Sequence, residues 1–322
     1  MIASQGSCAS GLFTSTRKAP RTHAETDFAI PVRGPFTLRS AREFLQGFTP
    51  GSGTAASEGD TLSLAFRLDG TFEPVVVALT DAGSEIRGRA VGTRDAEAAA
   101  KQVARILSLD IDGADWPEVG KRDPVIGELQ SRFPGARAVC FPSPYEAAAW
   151  GVLSQRCSMR QAAVWKSALA SEHGDAVRLG TKTFAVFPAP ATLVSLETCS
   201  TIPREKLARL RAVATAALAG RLDAEHLRAL GERDALNELQ AIHGIGAWTA
   251  QHVYMRGAGI ADALPLVEPR VLRGMELTYG MSRTPSEIEY ATIARKWRPY
   301  SMWVAILMVR ALSTTPQWHS KR

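Results

Sequence analysis

Between Leu239 and Ala250 the chain reads Leu-Gln-Ala-Ile-His-Gly-Ile-Gly-Ala-Trp-Thr-Ala, and no other stretch restricts its folding as tightly. One helix has to end before Gly244-Ile245-Gly246, and the next has to begin at once. The two glycines permit the tight turn and leave backbone N–H groups uncovered at a helix N-terminus, a place that binds phosphate without a charged side chain. Ile242 and Ile245 are placed to anchor the turn in a core. Gly-x-Gly alone would equally suit an ordinary helical hairpin whose glycines only turn the chain. With Trp248-Thr249-Ala250 following, the pattern as a whole points to a phosphate-binding hairpin.

The charge balance favours a polyanionic partner without requiring one: 38 Lys and Arg stand against 32 Asp and Glu, for a net charge of +6. Cys8, Cys140, Cys157 and Cys199 show no C-x-x-C spacing and no His at zinc-ligand spacing. A reduced, cytoplasmic compartment is the expectation. The longest apolar runs, such as residues 303–309, are far too short to cross a bilayer, and the first residues lack the apolar core of a secretory signal. No membrane association is expected.

Residues 1–27, rich in Ser, Thr, Ala and basic residues without a period, read as a flexible basic leader. Residues 28–115 carry mixed signals. Ser40-Ala-Arg-Glu43 reads as a capping box. Leu62 to Leu68 alternates at period two before the Asp69-Gly70 turn, Val75 to Leu79 and Glu85 to Val91 supply further strands, and a helix is expected from about Arg94 to Leu107. From Trp116 the chain turns helical. Helix starts are expected at Ser143-Pro144-Tyr145-Glu146, at Ser158-Met-Arg-Gln161 and at Thr284-Pro285-Ser286-Glu287.

Taken together, these residues resemble the helix-hairpin-helix DNA glycosylases, and within them the alkylpurine branch of the DNA-3-methyladenine glycosylase II type. The resemblance covers nearly everything after residue 28. It runs through Pro144-Tyr-Glu and Leu153-Ser-Gln155, Phe187-Pro-Ala-Pro190, Gly220-Arg-Leu-Asp223, the hairpin, Asp262-Ala-Leu-Pro265 and Trp297-Arg-Pro-Tyr300. It implies an α+β fold: a small TATA-binding-protein-like antiparallel sheet with helices over residues 28–115, then an all-α helix-hairpin-helix domain over residues 116–318. The implied partner is double-stranded DNA with alkylated bases, met by a monomer through Gly244, Ile245, Gly246 and Thr249. The resemblance also places a possible Na+ or K+ ion on the backbone carbonyls of Gln240, Ile242 and Ile245. No cofactor is required. The iron–sulfur cluster of some members needs four closely spaced C-terminal cysteines, and this chain has none after Cys199.

Breaking an N-glycosidic bond develops positive charge on the sugar, so a nearby anion or a nucleophile is needed. Bifunctional relatives carry a lysine where this chain has Trp248, so the resemblance implies a monofunctional enzyme that leaves an abasic site. The family pattern Asp-x-x-Pro-x-x-Asp reads here Asp262-Ala-Leu-Pro-Leu-Val-Glu268, which puts Glu268 in the catalytic position in place of Asp. The extra methylene displaces a carboxylate by about an ångström, a scale that can cost about 10²-fold in rate. Two readings stay open: catalysis by Glu268, or a weak or inactive lesion-binding paralogue. Asp262 is expected to be structural, bonding backbone donors near the hairpin. Trp248 is the first candidate for a wall that stacks on a cationic alkylated purine, with Tyr145 and Trp150 also considered. Gln155 and Arg156 occupy the positions of the side chain that fills the gap left by an extruded base. Where relatives carry another aromatic residue late in the last helix, this chain has Val309 or Arg310. Arg204, Lys206, Arg209 and Arg211 are either backbone contacts or a solvated helix face.

Overall fold

The computed structural model describes residues 24–51 and 54–314. Most of the segment read as a leader lies outside the described residues, but Glu25 already opens the first strand. Five antiparallel strands, β1 (Glu25–Pro31), β2 (Ala55–Glu58), β3 (Thr61–Arg67), β4 (Pro74–Asp81) and β5 (Glu85–Val91), form one sheet in the order β1-β5-β4-β3-β2. Two helices belong to this unit, α1 (Leu38–Gly47) and α2 (Ala96–Ile106). The first of them begins earlier than Ser40-Ala-Arg-Glu43 suggested. Thr37 is its cap and accepts the Ser40 amide at 3.2 Å.

Leu62, Leu64 and Phe66 of β3, with Val75, Val77 and Leu79 of β4, face a core shared with Ala99, Val103 and Ile106 of α2. The opposite face is covered as well. Ala65, Val76 and Val91 pack against Val177, Phe184 and Val186 of a hairpin made by β6 (Asp175–Leu179) and β7 (Lys182–Val186). A strand buried on both sides has no polar alternation to show, which is why β4 reads Val-Val-Val-Ala-Leu. This hairpin corrects the expectation of an all-α second unit: the chain supplies two strands from its helical part to seal the sheet.

The helical part comprises α3 (Trp116–Arg122), α4 (Pro124–Arg132), α5 (Pro144–Ser154), α6 (Met159–His173), α7 (Pro190–Ser195) and α8 (Arg204–Leu218). It continues with α9 (Ala224–Leu230), α10 (Glu232–Gln240), α11 (Ala247–His252), α12 (Pro269–Thr278), α13 (Glu287–Ala294) and α14 (Ser301–Ser313). Ser143 and Ser158 cap α5 and α6 through the amides of Glu146 and Gln161. At α13 the cap is Ser286 with Glu289 closing the box, two residues beyond the Thr284 start read from the sequence. Glu146 does not close a box. It is buried and faces Lys166 Nζ at 3.6 Å, an ion pair inside the junction between sheet and helices. Among the described residues no helix is long and apolar enough to cross a membrane.

Candidate active site at the junction of sheet and helices

The turn from α10 into α11 closes with the Ile245 amide on the Ile242 carbonyl at 3.0 Å. Gly244 takes φ 91°, a left-handed value open to glycine, and a Cβ there would crowd the Arg209 side chain. Ile242 and Ile245 are buried, while Gly246 and Ala247 stay exposed at the start of α11. Gly246 and Ala247 are thus the exposed part of the turn, while the Ile245 amide is used inside it. Thr249 does not share that surface. It is buried, and any Cβ on Gly151 of α5 would fall inside van der Waals contact with its Cγ2. Its role is the close approach of α5 and α11, which corrects its assignment to the DNA face. Gly151→Ala is expected to cost about 1–3 kcal/mol through overpacking. Thr249→Ser should return part of that loss in urea titrations of the single and double variants, because it removes the opposing methyl.

A cavity of about 760 Å³ opens where α1 meets α5, α11, α12 and α14, ample for a purine. Trp248 and Glu268 both line it, together with Trp150, Val309 and Arg310. Glu268 caps α12: Oε1 accepts the Arg270 amide at 3.2 Å, with Pro269 in the first turn. Trp248 Nε1 donates to Glu268 Oε2 at 3.2 Å. The Arg270 guanidinium grips the carboxylate with both arms, Nε to Oε1 at 2.7 Å and Nη2 to Oε2 at 3.0 Å. Burial pushes the Glu268 carboxyl up, but the hydrogen bonds and charge of Arg270 outweigh it and hold the group below its ordinary range. Glu268 is thus an ionised carboxylate on the cavity wall, with its side chain only 13% exposed. Gln251 helps to place it by accepting the Val267 amide at 3.4 Å.

Other sequence candidates fall elsewhere. Tyr145 is 1% exposed, donates its hydroxyl to the Pro188 carbonyl at 2.9 Å and packs against Phe72 and Phe187. It is a core residue and does not line the cavity, a correction whose cause is the first turn of α5 pointing into the helix–sheet junction. Gln155 borders the cavity but is tied down. Its Nε2 donates to the Gly244 carbonyl at 2.7 Å and its Oε1 accepts Arg209 Nη1 at 2.6 Å, linking the loop after α5 to the hairpin. Arg156, next to it, is exposed and holds φ 51°, a strained value for a side chain of this size. Asp262 is structural, but its partners are not hairpin donors. It accepts Ser301 Oγ at 2.7 Å and Arg298 Nε at 2.8 Å, fixing the start of α14. Of the basic residues on α8, Lys206 spends its ammonium on the Val152, Leu153 and Gln155 carbonyls that end α5.

Three residues that the motif reading passed over stand in the cavity: His252, Arg256 and Arg270. His252 lies one helical turn after Trp248, and the rings stack at 4.9 Å with 11° between planes. That i, i+4 spacing was visible in the sequence. The walls from α1, Phe44 and Phe48, were not, because nothing local says that this helix reaches the hairpin.

No protein-family profile matches the chain. Among curated proteins, the DNA-3-methyladenine glycosylase of Bacillus subtilis (strain 168) is 26% identical over 220 residues, 66% of this chain and 71% of that protein. A Mycobacterium tuberculosis protein named as a probable bifunctional transcriptional activator/DNA repair enzyme AlkA is 29% identical over 282 residues. Those cover 84% of this chain, which spans about half (54%) of that relative. Among solved structures, a 3-methyladenine DNA-glycosylase from Archaeoglobus fulgidus superposes with a TM-score of 0.74 at 20% identity, over 89% of this chain and 100% of that one. A Clostridium acetobutylicum 8-oxoguanine glycosylase/lyase gives 0.63 at 14% identity, over 91% and 99%. The chain is thus similar in sequence to DNA-3-methyladenine glycosylases and shares the fold of solved DNA glycosylases.

Proposed function

We propose that the chain is a monofunctional DNA glycosylase that acts as a cytoplasmic monomer on double-stranded DNA. It extrudes alkylated purines of the 3-methyladenine type and hydrolyses their glycosidic bond. The observation that carries this reading is the Glu268 carboxylate, held ionised by Arg270 on the wall of a cavity ample for a purine and one hydrogen bond from Trp248. The hairpin holds a backbone phosphate, strained Arg156 enters the gap in the stack, and the carboxylate stabilises the cationic sugar as the base departs. Trp248 has no amine to attack the sugar, so the DNA strand stays intact. Gln240, Ile242 and Ile245 carbonyls remain the candidates for a Na+ or K+ ion. Ile242 keeps a second lone pair beside the one taken by the Ile245 amide.

The direct test is release of free 3-methyladenine and 7-methylguanine from methylated duplex DNA, with strand integrity followed in parallel. Free base and unbroken strands are the expected result; strand cleavage without added base would exclude a monofunctional enzyme. Binding should weaken steeply as salt rises, because phosphate contacts dominate.

The pH profile should report Glu268. Its carboxyl lies below 4.5 in the folded chain, so the charge it contributes is complete above that value and is lost only as pH falls through the depressed pKa. Release should therefore show no Glu268 limb between pH 5 and 8. In Arg270→Ala, burial is opposed by far less, and the acidic limb should move upward.

One observation favours a second reading, that of a lesion-binding protein with weak base release. The two-armed Arg270 pairing neutralises the carboxylate that the reaction needs.

A further inference from the structure

Arg156 stands between α5 and α6 with its side chain exposed, and among the described residues nothing bonds its guanidinium. Its left-handed φ of 51° persists only where neighbouring contacts over-determine the backbone. Both flanking residues supply such contacts. On one side Cys157 donates its thiol to the Leu153 carbonyl at 3.2 Å, and Ser158 caps α6. On the other side Gln155 is held at three points. Its backbone carbonyl accepts Lys206 Nζ at 2.7 Å, its Nε2 donates to the Gly244 carbonyl at 2.7 Å, and its Oε1 accepts Arg209 Nη1 at 2.6 Å.

Two of those partners belong to α8, and the third is the hairpin turn between α10 and α11. The helix α8 is itself seated on that turn. Arg209 pairs with Glu205 on its own helix, and a Cβ on Gly244 would press into the Arg209 side chain. A primary amide has a donor end and an acceptor end. Turned over, it would set its NH2 against the Arg209 guanidinium and its oxygen against the Gly244 carbonyl, so the partners accept one orientation. The Gln155 amide therefore fixes the spacing between the hairpin and the backbone of Arg156. A phosphate contact gives a protein its register on a duplex and no information about the base. A side chain that fills the gap left by an extruded base has to enter at the step which that register defines.

We infer that Gln155 is a positioning residue: it holds Arg156 in register with the hairpin, so that the DNA backbone bound there sets the base step the guanidinium enters. This rests on the glycosylase reading and adds to it the part that couples backbone binding to extrusion. Gln155 could fill the gap itself only by breaking both of its side-chain bonds.

The test uses the full chain beside Gln155→Met, Arg156→Ala and the double variant. Methionine keeps the length of the side chain and loses both bonds. The probe is a duplex with 2-aminopurine opposite an abasic-site analogue, whose fluorescence changes when a side chain enters the gap and which needs no base release. The parent should give the change, and each single variant should lose most of it. On methylated duplex DNA, single-turnover release should fall about tenfold in Gln155→Met, the scale of a lost neutral hydrogen bond. Affinity for an undamaged duplex, read by anisotropy, should stay within about twofold, because phosphate contacts carry it. Release by the double variant should match Arg156→Ala, since the tether then has nothing to place. Losses that multiply in the double variant, a full change in Gln155→Met, or no change in the parent overturn the inference. So does a change that Arg156→Ala keeps and Gln155→Met loses, because Gln155 is then the gap filler. If Gln155→Met fails to fold, Gln155→Glu takes its place; it keeps an acceptor for Arg209 and loses the donor to Gly244. If the parent releases no base, the glycosylase reading fails, and the abasic duplex still decides whether Gln155 places Arg156.

Discussion

Glu268→Gln should lower base release by about 10²–10³-fold while leaving affinity for a duplex with an abasic-site analogue within about twofold. The amide keeps the shape of the side chain and its one oxygen can still accept the Arg270 amide, so the charge is lost together with the acceptor that faced Trp248 Nε1. The hairpin, the proposed phosphate contact, is untouched. Single-turnover release and fluorescence anisotropy on the same preparations separate the two effects. Glu268→Asp is the informative partner. Shortening the chain draws the carboxylate back toward the start of α12 and loosens the two-armed Arg270 contact. If the parent chain is active and the Asp variant slower, the cavity is built around the longer side chain. Should the parent be inert and Asp restore release, the lesion-binding reading holds, with catalysis lost through one methylene.

Lys166→Met should cost about 3–5 kcal/mol of folding stability, the range for stranding one member of a buried ion pair. Lys166 and Glu146 are both at most 5% exposed. Burial raises the Glu146 carboxyl and lowers the Lys166 ammonium, and each charge draws the other back. Lys166 Nζ also donates to the Pro50 carbonyl at 2.7 Å, and Glu146 lies 3.5 Å from the Arg67 amide, so the pair ties α5 and α6 to the sheet unit. Urea unfolding would measure the loss. The double variant Glu146→Leu with Lys166→Met should recover most of it, because no uncompensated charge then remains in the junction. A single-variant loss below about 1 kcal/mol would mean that water reaches the pair.

The hairpin was legible from its residues because turn geometry is local: Gly244 needs its positive φ, and Ile242 and Ile245 need a core. The same holds for Ser143 and Ser158, whose hydroxyls cap amides three residues away. The helix start after Glu268 was also visible, since Pro269 suits the first helical position. Local signals were less sure where two caps competed, as at Thr37 against Ser40 and Ser286 against Thr284. The β6–β7 hairpin was written in the alternation of Val177, Leu179 and Phe184, Val186 around Gly180, yet only the bare second face of the sheet gives those residues something to cover. Tertiary structure alone decided that Tyr145 and Thr249 turn inward, that α1 brings Phe44 and Phe48 to the cavity, and that Arg256 fills the cage they form. It also set His252 without a partner beside Glu268 and Arg270. Caps and turns are settled within a few residues of chain, whereas burial, charge pairing and the emptiness of a cavity depend on segments up to about two hundred residues apart, which meet only when the sheet and the helices pack.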